Sequence, residues 1–246
     1  MARKHHCKKK ASLVMRTEVI FDNVGVNNYV TPEGYSLMDV FIVGAGAGGA
    51  GDGNTAGYVG AGGNGGQVRV FQGIPISAGQ AIGVVVGAGG AAGGARGNGV
   101  NGGNGGSSLV VISSITYQAD GGLASRVAGQ RNPQPYSGAG GPGGHYTVGD
   151  IGLDGLPNTI NTDDTELYGA GGGSGGERNW QSVESFRGGN TGGGNGGGGA
   201  NNTIANRGQN GQFYGGGGGG GAFSSTHTYG QGGSGHQGVV KIYLYN

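Results

Sequence analysis

Glycine recurs every third residue through much of this chain, and that spacing limits the fold more than any other feature. Gly57, Gly60, Gly63 and Gly66 set the period. Gly99, Gly102 and Gly105 repeat it, as do Gly138, Gly141 and Gly144, and Gly169, Gly172 and Gly175. So do Gly193, Gly196 and Gly199, then Gly215, Gly218 and Gly221, then Gly232, Gly235 and Gly238. Three residues per turn is the repeat of the polyproline II helix, which makes no internal hydrogen bonds. Its amides must bond to neighbouring chains or to water. Glycine at every third position lets those neighbours approach backbone to backbone. The same glycine leaves essentially no α-helix to expect: 68 of 246 residues are Gly, and each costs a helix interior about 1 kcal/mol relative to Ala.

Three arrangements compete for the glycine runs. Collagen needs long unbroken repeats and at least about 15% Pro, whereas this chain has 6 Pro in all. A flexible linker would be poor in strand formers, yet strand-like segments alternate with the runs. A bundle of short polyglycine II helices, hydrogen-bonded side by side, fits best. Entropy opposes it, because glycine loses more backbone freedom on folding than any other residue. A β-framework clamping the run ends has to help offset that loss. Strands are expected at Thr17–Phe21, Val40–Val43, Gln67–Phe71, Ala81–Val86, Leu109–Ile112 and Val239–Tyr245. In the last, Val240, Ile242 and Leu244 can face inward while Lys241, Tyr243 and Tyr245 face outward or against a neighbour. That strand must return to the first ones, since a lone strand is not stable.

Charge divides the chain at residue 16. Arg3, Lys4, Lys8, Lys9, Lys10 and Arg16 give the first sixteen residues +6, and the remainder carries −5. Residues 1–16 are therefore expected to be a basic anchoring arm, and residues 17–246 a glycine-rich domain. Cys7 is the only cysteine, so no disulfide can form within the chain; pairing between subunits stays open. No apolar run reaches the roughly 20 residues of a spanning helix, so no membrane insertion is expected. The basic start lacks the apolar stretch of a secretory signal.

Motifs that invite an enzymatic reading are weak. Gly44-Ala45-Gly46-Ala47-Gly48-Gly49 fits G-x-G-x-x-G after a strand, but the following Ala50-Gly51-Asp52-Gly53-Asn54 cannot form the helix whose N-terminus holds a pyrophosphate. His5-His6-Cys7 offers metal-ligating atoms without a complementary cluster. Asp163, Asp164 and Glu166 form an acidic group that reads better as a solvated loop than as a glycosidase pair. His145, His227 and His236 flank glycine runs and read as loop or packing residues. No cofactor, metal site or catalytic activity is expected. The basic arm suits an acidic subunit groove better than nucleic acid, because no recognition motif accompanies it.

The segment Phe21–Gly51 joins Tyr29-Val30-Thr31-Pro32-Glu33-Gly34 to a valine-rich strand and a poly-glycine run. Gly65-Gly66-Gln67, Ile76-Ser77-Ala78-Gly79-Gln80, Gly87-Ala88-Gly89-Gly90 and Gly106-Ser107-Ser108 follow in order, and Gly232–Tyr245 closes the chain. Over roughly residues 17–246 this resembles the glycine-rich domain of bacteriophage tail-fibre and related virion proteins. It is architecturally similar to the glycine-rich module of anaplastic lymphoma kinase-type receptors, without their cysteines or kinase. The resemblance implies an all-β fold, a jelly-roll-like β-sandwich combined with a polyglycine II bundle. It also implies a place on the virion exterior or fibre tip, as an adhesin or, alternatively, as a capsid-decoration, head-fibre or tail-assembly subunit.

Receptor contact is expected in the non-glycine insertions. Their candidates are Tyr136, Tyr146, Tyr168, Arg178, Trp180, Phe186, Phe223 and Tyr229, since aromatic loops on a rigid scaffold suit sugar and protein surfaces. Covering the ends of the glycine bundle is the competing role for these rings. The expected partners are other virion subunits through the arm and a host-surface glycan or outer-membrane protein. A homo-oligomer is also expected, with a trimer favoured.

Overall fold

The computed structural model describes residues 16–51, 60–94, 101–124, 154–169, 207–221 and 230–246. Its regular elements are all strands: β1 Thr17–Phe21, β2 Gly25–Val30, β3 Leu37–Val43, β4 Val68–Pro75, β5 Ala81–Val86, β6 Ser108–Ile112, β7 Ile115–Ala119, β8 Leu156–Pro157, β9 Leu167–Tyr168 and β10 Val239–Tyr245. The fold is all-β, as the composition requires. One antiparallel sheet runs β1-β10-β3-β4 and a second runs β2-β5-β6-β7. The short β8 and β9 pair with each other. The closing strand β10 thus returns between β1 and β3.

Both sheets feed one core. Met38, Val40 and Ile42 of β3 and Val240, Ile242 and Leu244 of β10 meet Ile82, Val84 and Val86 of β5 and Val110 and Ile112 of β6. The opposite face of the first sheet is covered as well. There Phe41, Val43, Val239 and Tyr243 pack with Ile160 and Tyr168 from the inserted segment 154–169. A strand buried on both faces has no polar side to display. That explains the nearly unbroken apolar reading of β3, Leu37–Val43.

Asp39 interrupts that run and is fully buried. The β3–β4 register shifts between Met38 and Val40. At this bulge Asp39 Oδ1 accepts the Gly73 N–H at 2.8 Å and the Tyr245 hydroxyl at 2.8 Å. Oδ2 lies 3.2 Å from Arg16 Nη2, outside hydrogen-bonding geometry. The guanidinium also stands 5.1 Å from the Tyr245 ring centre.

Glycine runs continue from the strand ends, and their hydrogen bonds follow the three-residue period. In the run after β3, the N–H groups of Gly44, Ala47 and Ala50 donate to Gln67, Asn64 and Ala61. Those of Ala45 and Gly48 donate to Gly106 and Gly103, and those of Gly46 and Gly49 to His236 and Gly233. The carbonyls turn to other segments. Gly46 and Gly49 accept from Gly90 and Gly93, Ala47 and Ala50 from Gly218 and Gly221, and Ala45 from Gly122. Successive residues thus address different neighbours, and every third residue addresses the same one. Outer runs bond each other in step: Gly60, Gly63 and Gly66 donate to Gly221, Gly218 and Gly215, and Gly232, Gly235 and Gly238 donate to Gly93, Gly90 and Gly87.

Candidate functional site

The runs alternate in direction, each with one end at the sheets and the other away from them. The segments 44–51 and 87–94 leave the ends of β3 and β5, and 101–106 and 230–238 lead back into β6 and β10. Bonds among Ala50, Gly60, Gly93, Gly221 and Gly232 gather the far ends of five segments. Gly51 and Gly60, Gly94 and Asn101, and Gly221 and Gly230 are therefore three pairs of chain ends at the end of the bundle away from the sheets. The stretches joining those pairs, 52–59, 95–100 and 222–229, lie outside the described residues, and so do Phe223 and Tyr229. Tyr136, Tyr146, Arg178, Trp180 and Phe186 also lie outside them.

Tyr168 requires a correction. It was expected at a receptor surface, but it is fully buried. Its ring packs edge-on against Phe41 at 4.9 Å and stacks with Tyr214 at 6.5 Å. It anchors the inserted segment to the first sheet, so its ring face is not open to a ligand.

Arg16 is corrected in the same way. Its pairing with Asp39, its contact with Tyr245 and a 3.4 Å bond from Nη1 to the Ile160 carbonyl place it in the body. The other arm candidates Arg3, Lys4, Lys8, Lys9 and Lys10 lie outside the described residues, together with His5, His6, Cys7, His145 and His227. His236 is described: its ring packs edge-on to Tyr214 at 5.5 Å, a packing role.

The G-x-G-x-x-G stretch occupies the middle of the bundle. A Cβ placed on Gly46 would lie 2.0 Å from the Gly216 oxygen, and one on Gly48 would lie 1.8 Å from the Ala91 oxygen. The amides of Gly44–Gly49 already bond to other segments, so they cannot cradle a phosphate. Among the described residues no group of three His, Cys, Asp or Glu side chains is arranged to hold a metal ion. No helix there is long and apolar enough to cross a membrane.

Sequence reasoning missed the polar cluster under the inserted segment. Asp164, read as part of a solvated acidic loop, forms an ion pair with Lys241 Nζ at 2.6 Å, both side chains being only 10% exposed. Tyr168 donates its hydroxyl to Asp164 at 2.5 Å and accepts from Lys241 at 2.8 Å. Asn158 Nδ2 donates to Asp164 at 3.3 Å and to the Tyr243 hydroxyl at 2.9 Å, and Tyr243 donates to Glu18 at 2.7 Å. Burial pushes the Asp164 carboxyl upward, but bonds from Lys241, Tyr168, the Glu166 amide and Asn158 outweigh it and leave it below the usual carboxylate range. The one signal was Lys241, a cation in an otherwise apolar strand. Beside the cluster, Arg16, Glu18, Ile160, Asn161 and Tyr243 line an open cleft of about 220 Å³. A second missed feature is the edge strand β2, where Val26 and Val30 are 75% and 59% exposed.

Two sheets, a shared core and glycine runs joined by three-residue hydrogen-bond periodicity define a β-framed glycine-rich protein. The chain belongs to the glycine-rich domain family, whose family model matches residues 22–245. No curated protein matches it.

Proposed function

We propose that this chain is a non-enzymatic bacteriophage virion protein, a fibre-tip or receptor-binding subunit. Its runs are read as polyglycine II helices that extend a jelly-roll-like sandwich into a rigid bundle. One observation carries the reading: three pairs of run ends gather at the end of the bundle away from the sheets. The described residues that flank each joining segment stand together at that end, and we read the joining segments as the surface for a host-surface glycan or outer-membrane protein. One of them contains Phe223 and Tyr229. Residues 1–15 carry the other five basic side chains of the arm, Arg3, Lys4, Lys8, Lys9 and Lys10, and attach the chain to other virion subunits. The double variant Phe223→Ala/Tyr229→Ala should assemble into particles that no longer adsorb to host cells. Normal adsorption by those particles would reject this end as the receptor surface.

The exposed β2 valines favour a second reading, a decoration or tail-assembly subunit packed against its neighbours. Two exposed valines on β2, which pairs only with β5 among the described residues, offer a template for association. It also supports a homo-oligomer. Val26→Lys should shift the protein to the monomer in light scattering at unchanged thermal stability. If the wild type is already monomeric at micromolar concentration, self-association through this strand fails.

A further inference from the structure

Lys241 lies in the middle of β10, on the face covered by segment 154–169, and is 8% exposed. Its Nζ stands 2.6 Å from Asp164 Oδ2. That same oxygen accepts Asn158 Nδ2 at 3.3 Å, and Asn158 is 2% exposed. One carboxylate therefore bridges an amine and a carboxamide. Phe41, Tyr168 and Tyr243 surround the place with buried rings. The carboxamide is also polarised. Its Oδ1 accepts the backbone N–H of Ile160 at 3.1 Å and that of Asn161 at 3.3 Å. Donors fixed on a carbonyl oxygen stabilise the charge that develops there when a nucleophile attacks the carbon.

We propose that Lys241 and Asn158 join in an intramolecular isopeptide bond, with Asp164 carrying the protons and ammonia as the leaving group. Asp164 first takes a proton from the Lys241 ammonium, leaving a neutral amine beside a neutral acid. The Nζ lone pair attacks Asn158 Cγ, and the carbonyl electrons move onto Oδ1 between its two N–H donors. Asp164 gives its proton to Nδ2 and then takes one from the attacking nitrogen. Collapse of the intermediate breaks the Cγ–Nδ2 bond and releases ammonia. The ammonia takes the last proton from Asp164 and leaves as ammonium. One amide replaces another, with no oxidation or reduction.

Asn158 is a better acceptor than Asp164 itself. Asp164 Oδ2 meets Lys241, Tyr168 and Asn158 and so is placed to relay protons, whereas the Asn158 carbonyl oxygen sits between two backbone N–H donors and its amide nitrogen can leave as ammonia. The bond would tie the inserted segment covalently to the closing strand, in a chain whose single cysteine allows no internal disulfide. The structural setting favours reaction over solvent exchange, since burial keeps the amine and carboxamide together and water away.

Intact-mass measurement of the purified full chain tests this directly. The wild type should be lighter by one ammonia than its sequence requires. A protease digest should yield a branched peptide joining the fragments that contain Asn158 and Lys241. Lys241→Arg and Asp164→Ala should restore the full mass. A folded wild type that keeps its full mass overturns the proposal without recourse to any variant. A branch at Asp164 with loss of water overturns the choice of Asn158. Ammonia loss without a branched peptide, as in ring closure at a single Asn, overturns the cross-link.

Discussion

A methyl group on Gly46 would lie 2.0 Å from the Gly216 carbonyl oxygen, whereas its neighbours Ala45 and Ala47 carry methyl groups in fully buried positions. The difference is directional. As the run turns, some Cα atoms face a neighbouring backbone at hydrogen-bonding distance, and others face a gap between neighbours. Glycine is required at the first kind by contact rather than by backbone conformation. Gly46→Ala should therefore destabilise by about 3 kcal/mol, the upper range for forced overpacking, read from the midpoint of chemical denaturation. Ala45→Gly should cost about 1 kcal/mol or less, mainly through added freedom of the unfolded chain. Equal effects at the two positions would reject the contact argument. The period of three was legible in the sequence, but which residues would face a backbone was not. That depends on the phase of each run against several others at once. Tyr168 shows the same limit. Its aromatic ring fitted a contact surface and a packing surface equally well, and only the path of the inserted segment decides between them.

Strands divide by how their signals are encoded. Those rich in valine, isoleucine and aromatic residues were legible, with Thr17–Phe21, Ala81–Val86 and Val239–Tyr245 matching in extent. β2 was not, because Gly25-Val26-Asn27-Asn28-Tyr29-Val30 contains residues depleted in strands. β7 follows a two-residue turn at Ser113 and Ser114, both with positive φ, a conformation usually announced by Asn-Gly or Asp-Gly. The segment around β8 and β9 is held through long-range side-chain bonds to β10, which no local pattern reports. Its stability has a pH signature. Burial first, then the hydrogen bond to Asp164, raises the Tyr168 hydroxyl far above its ordinary value, and burial, then Glu18, does the same for Tyr243. Raised values favour the neutral form in the fold. Their contribution is fully present below the unfolded value of about 10 and is lost as pH rises through the folded values. Thermal stability should therefore fall above about pH 10, with tyrosinate absorbance growing in step with unfolding. Tyr168→Phe should flatten that alkaline slope while lowering stability at neutral pH by about 1 kcal/mol, the net worth of a hydrogen bond. Tyrosines that all ionise near pH 10 in the folded protein would rule out this clasp.

At the scale of the whole molecule, stability rests on agreement in phase between runs that are distant in sequence. The run 44–51 bonds simultaneously to segments near residues 61–67, 87–94, 103–106, 122, 215–221 and 233–236. Each residue in it is committed to particular neighbours by its place in the three-residue turn. One glycine inserted between Gly48 and Gly49 would rotate every later N–H by a third of a turn. Gly49 and Ala50 would then aim at the wrong neighbours, and several buried amides would lose partners together, each at about 1–3 kcal/mol. Such a variant should fail to fold cooperatively. Three inserted glycines restore the phase. They push the surplus past Gly51, toward the gathered run ends, where added length costs only slowly growing loop entropy. The three-residue insertion should thus recover most of the melting temperature that the one-residue insertion removes. A two-residue insertion should behave like the single one. If stability instead declined steadily from one to three inserted residues, the runs would be acting as loops rather than as phased helices. The rigid display on which the proposed receptor recognition rests would then have no physical basis.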